Sequence, residues 1–139
     1  MKDAYTTAFY DVVKETQSTS GYELPQHLEA YIVMLLSDFV ERTDFLPEKS
    51  FAEAFLSVQR VGQAKELGDV CLFVSGVFPT YKKRFGLSRK YFQDIGASSY
   101  ERCSIMNEDL FIQLATHFNF LSEFIEISCS RKDLRNLLF

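Results

Sequence analysis

Between Leu67 and Pro79 the chain reads LGDVCLFVSGVFP, and this segment limits the fold more than any other. Leu67, Val70, Cys71, Val74, Val77 and Phe78 recur at helical spacing, while Leu72 and Phe73 cover much of the opposite side. A helix that is apolar nearly all round has to sit at the centre of a fold, with other elements covering it. Pro79 stops the helix, because it lacks an amide donor and disfavours α geometry at Phe78. The expectation is therefore a buried helix over about residues 64–78, wrapped by the rest of the chain.

That remainder also reads as helix. Tyr5, Ala8, Phe9 and Val12 predict a first helix over about residues 3–17, broken by the segment from Ser18 to Tyr22. Pro25 suits the first turn of a second helix, whose stripe is Leu28, Tyr31, Ile32, Leu35, Leu36 and Phe39. A linker, Thr43 to Lys49, precedes the capping box of Ser50 and Glu53, then Phe51, Ala54, Phe55 and Val58. Gly62 is expected to kink or end this third helix. Ser88 caps a fifth, with Phe92, Ile95, Gly96, Ser99, Cys103 and Met106 on one side. Asn107 caps a sixth, with Glu108 and Asp109 in its first turn and a stripe from Leu110 through His117 to Ile125. The tail, Ser130 to Phe139, would add a seventh. Strand alternation and internal repeats are not evident. The expected architecture is all-α: one domain over residues 1–139, a compact bundle of six or seven helices with a central buried fourth helix.

At 139 residues the chain is long enough for a real core. The formal net charge of −4 argues against general nucleic-acid binding. Cys71, Cys103 and Cys129 are an odd, widely spaced set, which is neither a disulfide framework nor a zinc site. They read as buried thiols of a reducing cytoplasm. The N-terminus has early acids and no long apolar run, so no signal peptide is expected. No apolar run approaches the ~18 residues of a membrane span. The amphipathic tail, with Arg131, Lys132 and Arg135 beside its leucines, can dock on the body or on a partner chain; it is too short to predict membrane binding.

Three places carry candidate chemistry. Gly68, Ser75 and Gly76 lie inside the fourth helix, where each Gly costs ~1 kcal/mol against Ala. Close approach of a neighbouring helix would offset that, with Gly96, Ser99 and Cys103 as the facing residues; a ligand over bare backbone is the alternative. Asp69 is a carboxylate in the most apolar helix and needs a partner, with Tyr91, Tyr100 or Arg102 as the expected ones. Finally, Lys82, Lys83, Arg84, Arg89 and Lys90 are five of the 15 Lys and Arg residues, interleaved with Tyr81, Phe85, Tyr91 and Phe92. Such a segment can hold phosphate, an acidic partner or single-stranded nucleic acid by charge and stacking. Its bland reading is a solvated loop beside a helix C-terminus.

Asp69, Lys82, Lys83, Arg84, Arg89, Lys90, Tyr91 and Tyr100 are thus the candidate ligand-binding residues. No dinucleotide, P-loop, HExxH, ExxH or GxSxG pattern is present, so no cofactor, metal or catalytic constellation is expected. His117, on an apolar stripe, reads as a core histidine.

Gly68, Asp69, Leu72, Phe73, Gly76, Phe78 and Pro79, followed by a basic turn and then Tyr91, Gly96 and Tyr100, resemble the G-D-x-x-L-F-x-x-G-x-F-P motif of a family of small bacterial helical proteins. The segment Tyr31 to Phe39 resembles that family's earlier helix, and the likeness covers about residues 25–105. The family has no assigned activity. The resemblance implies an all-helical fold and carries over no catalytic residue. The leading expectation is a non-enzymatic cytoplasmic protein acting by association, as a homodimer or with a protein partner. A binding module at residues 82–90 and a small enzyme using Asp69 with Tyr91 or Tyr100 are the alternatives.

Overall fold

The computed structural model describes residues 2–42, 44–78 and 87–130. Among these the chain forms seven α-helices, and no strand: α1 (Lys2–Ser20), α2 (Gln26–Phe39), α3 (Phe51–Leu56), α4 (Val61–Val77), α5 (Arg89–Arg102), α6 (Glu108–Thr116) and α7 (Phe118–Cys129), with a 3-10 turn at Cys103–Ile105. The all-α expectation holds. The predicted tail helix lies outside the described residues.

The central helix is where its composition demands. Every residue of α4 from Leu67 to Val77 is buried, and α2, α3, α5 and α7 all pack on it. Fully burying each Leu, Val or Phe side chain is worth ~1.5–3 kcal/mol. One core results, with Phe9, Ile32, Leu36, Phe73, Phe92, Phe118, Phe124 and Tyr100 among its fully enclosed side chains.

Element ends follow local chemistry. Helix α1 runs three residues past its predicted end, because Thr19 and Ser20 bond back to carbonyls within the helix. It stops at Gly21, whose φ of 77° is the left-handed cap that glycine adopts without strain. Ser50, Ser88 and Asn107 each accept a backbone N–H as N-caps, as read from sequence. Gly62 corrects the reading of the third helix: α3 ends at Leu56 and Gly62 falls in the first turn of α4. There the Gln63 side chain accepts from the backbone N–H of Arg60 and of Gln59, which holds the earlier start in place.

Two further differences concern the C-terminal half. The predicted sixth helix is two helices that meet at His117, whose backbone (φ −103°, ψ 21°) leaves helical geometry. The turn lets α6 pack on α5 while α7 packs on α4. His117 itself is exposed, not a core histidine. Met106, placed on the buried stripe of the fifth helix by periodicity, is 57% exposed, since the α-helix ends at Arg102 and the 3-10 turn changes the period.

Candidate functional site

The carboxylate of Asp69 is the polar centre of the fold. It is buried on α4, and three side chains from three helices converge on it. Tyr31 of α2 donates its hydroxyl to Oδ1 at 2.5 Å, and Tyr100 of α5 donates to the same oxygen at 2.8 Å. Lys65, one turn back on α4, donates to Oδ2 at 2.9 Å. Phe111 of α6 covers both phenol rings, with ring centroids 6.2 and 6.1 Å away.

Burial dominates the electrostatics here. It holds the Asp69 carboxyl above its ordinary range, and the opposing pull of Lys65 and both phenols does not offset it. The Tyr31 and Tyr100 hydroxyls are pushed far up, by desolvation first and the neighbouring carboxylate second. Both phenols are therefore fixed as donors at physiological pH.

The other partners expected for Asp69 from sequence lie elsewhere. Tyr91 turns toward α3, where its hydroxyl accepts the Ala52 backbone N–H at 3.3 Å. Arg102 lies over the Phe55 ring at 4.3 Å from its centroid. Tyr31 and Lys65 are the members that sequence reasoning missed. Both left a signal: Tyr31 is a hydroxyl on an apolar stripe, and Lys65 stands four residues before Asp69 on one helix.

The glycines are close-approach positions. A Cβ on Gly68 would stand 2.8 Å from the Tyr100 ring. One on Gly96 would stand 2.3 Å from Phe118 and 3.0 Å from the Cβ of Cys71. One on Gly76 would meet Ile125 at 2.6 Å and the Ser122 carbonyl at 3.1 Å. Gly68 therefore serves the α4–α5 contact, as expected, whereas Gly96 admits Phe118 of α7 first and Cys71 of α4 second, and Gly76 faces α7 instead of α5. Helices, not an open cleft, cover the glycine backbone.

Of the basic segment, Lys82, Lys83 and Arg84 lie outside the described residues. Arg89 reaches inward, donating to the Ser122 hydroxyl at 2.7 Å and to Glu126 at 3.3 Å. Ser122 is in turn hydrogen-bonded to the Ser75 hydroxyl at 2.8 Å, so this chain of contacts pins α5 and α7 to α4. Lys90 pairs with Asp94 on its own helix. Both cations are thus matched by carboxylates of this chain.

All three cysteines are buried free thiols. Desolvation pushes Cys103 up to about 11 and Cys129 up to about 12, and raises Cys71 as well. Such thiols are inert rather than nucleophilic. Among the described residues no cluster of metal-ligating side chains is present, and no helix is long and apolar enough to cross a membrane. An apolar groove of about 480 Å³ runs between residues 45–49, α3 and α4, over Phe45, Val58, Leu67 and Val70. None of the described site residues, Asp69, Arg89, Lys90, Tyr91 and Tyr100, lines it.

No protein-family model matches the chain, and no curated protein or solved structure matches it significantly. The resemblance of the central motif rests on its own residues.

Proposed function

We propose that this protein is a non-enzymatic cytoplasmic protein that acts by association, as a homodimer. One observation carries the reading: large apolar side chains stand exposed at the end of α3 and in the turn after α5, and these two helices pack against each other. Leu56, the last residue of α3, is 80% exposed, and Ile105 and Met106, just after α5, are 82% and 57% exposed. The guanidinium of Arg102 over Phe55, and the Cys103 thiol directed to the Val61 carbonyl at 3.8 Å, hold these chain segments side by side. Side chains this apolar favour removal from water when a complementary surface is offered.

The surroundings suit self-association. Arg60 and Arg102 stand exposed on and beside these segments together with Glu53 and Glu101. A two-fold contact sets one patch against its own copy, so a rim bearing both signs can pair with itself. The enzymatic alternative has less support, because both oxygens of Asp69 are already engaged by side chains of this chain. The buried free thiols are in keeping with a reducing compartment.

Sedimentation equilibrium of the wild type and of Leu56→Asp/Ile105→Asp tests the proposal. A wild-type dimer at micromolar concentration that the double substitution converts to a folded monomer is the expected result. A wild type that stays monomeric across the micromolar range refutes it, and a dimer indifferent to both substitutions moves the interface away from these segments.

A further inference from the structure

The two oxygens of Asp69 have different surroundings. Oδ1 is saturated by the phenols of Tyr31 and Tyr100. Among the described residues Oδ2 is held by the ammonium of Lys65, whose side chain remains 40% exposed. Beside it opens a recess of about 180 Å³, lined by Tyr31, Met34, Asp38, Phe39, Lys65 and Asp69. The Lys65 ammonium sits 2.9 Å from Oδ2 and 5.5 Å from the centre of the Tyr31 ring. A buried carboxylate and an aromatic face are the two groups that recognise an ammonium ion, and here both already hold one.

We infer that this recess is a binding site for a small alkylammonium ion, which takes the place of the Lys65 ammonium against Asp69 and Tyr31. The exchange strands no charge, because the Lys65 side chain is 40% exposed and its ammonium can turn to water while the incoming ion takes over the Asp69 carboxylate. Released, the flexible Lys65 side chain regains its hydration. The incoming ion meets a carboxylate whose charge is not fully offset, since burial keeps the Asp69 carboxyl raised despite its three donors. Asp38, on the recess wall, adds negative potential and stands near Arg42. Anions are excluded by these two acids. A divalent metal is disfavoured, because no group of three metal-ligating side chains is present among the described residues. The volume lies below the ~300 Å³ at which sites for drug-sized ligands begin, so it suits an ammonium head with a short chain.

The experiment is a titration of n-butylammonium chloride into wild type, Lys65→Ala and Asp69→Asn, read by NMR at the Tyr31 ring, with sodium chloride at equal ionic strength as the blank. A saturable shift in the wild type, about tenfold tighter in Lys65→Ala and absent in Asp69→Asn, is the expected pattern. Lys65→Met, which keeps the apolar stem, replaces the alanine variant if that one is too unstable to assay. A wild type with no saturable response, whatever Lys65→Ala does, overturns the inference and leaves an intramolecular ion pair only. Equal binding by Asp69→Asn overturns it as well.

Discussion

Replacing Gly96 by alanine sets two known effects against each other, and the structure decides the sign. Alanine gains ~1 kcal/mol over glycine in a helix interior. The new methyl, however, would stand 2.3 Å from Cε2 and 2.6 Å from Cζ of Phe118, and 3.0 Å from the Cβ of Cys71. Phe118 and Cys71 are both fully buried, so neither can swing aside into solvent. Relief requires α5 to move away from α4 and α7, across contacts the whole core shares. Overpacking of that kind costs ~1–3 kcal/mol, and a contact this short belongs at the upper end. The net expectation is a loss of ~2 kcal/mol. For a domain of this size that is a fall in Tm of ~6–10 °C. Gly62→Ala is the matched control, because no atom lies within 4 Å of its added Cβ; it should be neutral or stabilising by up to ~1 kcal/mol. Urea unfolding followed by far-UV circular dichroism measures both variants against wild type. Equal or greater stability of Gly96→Ala, at an unchanged m-value, would refute the claim that Gly96 exists for helix contact.

Three further outcomes follow from the buried polar groups. The Asp69 carboxyl is raised above its ordinary value of 3.8, so its favourable contribution is complete below that value and is lost as pH rises through the folded-state pKa. The stability of Asp69→Asn relative to wild type should therefore increase from about pH 4 toward neutrality; paired urea titrations that give a flat or falling difference contradict this. Tyr100→Phe removes a fully buried donor to a carboxylate and should cost ~1.5–3 kcal/mol, read as a shift in urea midpoint; a loss below ~0.5 kcal/mol would show that Tyr31 alone satisfies Oδ1. With Cys103 pushed up to about 11 and Cys129 up to about 12, native protein at about pH 8 should react with a disulfide reagent far more slowly than urea-unfolded protein, which titrates all three thiols. Fast labelling of the folded state would show that the thiols open to solvent.

The sequence carried most of the fold, for reasons that can be located. Leu67 to Val77 is buried along its whole length because no polar face exists to turn outward, and that is readable from composition alone. Ser50, Ser88 and Asn107 cap where expected, since capping is a local reaction between one side chain and the next turn. What failed was non-local. The break at His117 is set by two different neighbours, α5 for one half and α4 for the other, and no periodicity records a change of neighbour. That Asp69 needs partners is legible from its apolar helix, but sequence points for them to the fifth helix alone. Tyr31 lies on a helix that precedes it by a long stretch of chain, and only the packing of α2 on α4 brings the two together.

The same geometry explains why a costly carboxylate sits in the centre of a Phe-rich core. Apolar side chains gain free energy in proportion to area buried, whatever their register, so a Phe and Leu core tolerates several arrangements of its helices. Hydrogen bonds are satisfied in only one. Tyr31 reaches Asp69 from α2, Tyr100 reaches it from α5, and Arg89 with Ser122 reaches Ser75 from α5 and α7. Each contact fixes one neighbour of α4 along its axis, while Gly68, Gly76 and Gly96 fix how near those neighbours come. A slide of α5 by one turn would strand the Tyr100 hydroxyl and the Asp69 oxygen together in an apolar environment, a penalty of several kcal/mol. Lys65 stands apart from this set, since its half-exposed ammonium pairs with Asp69 within α4 and reaches α2 through the face of the Tyr31 ring instead of a hydrogen bond. Of the three side chains joined at Asp69, two fix the architecture and the third can be exchanged. Loss of Tyr31 or Tyr100 should therefore loosen helix packing, whereas loss of Lys65 should leave the register of the helices unchanged.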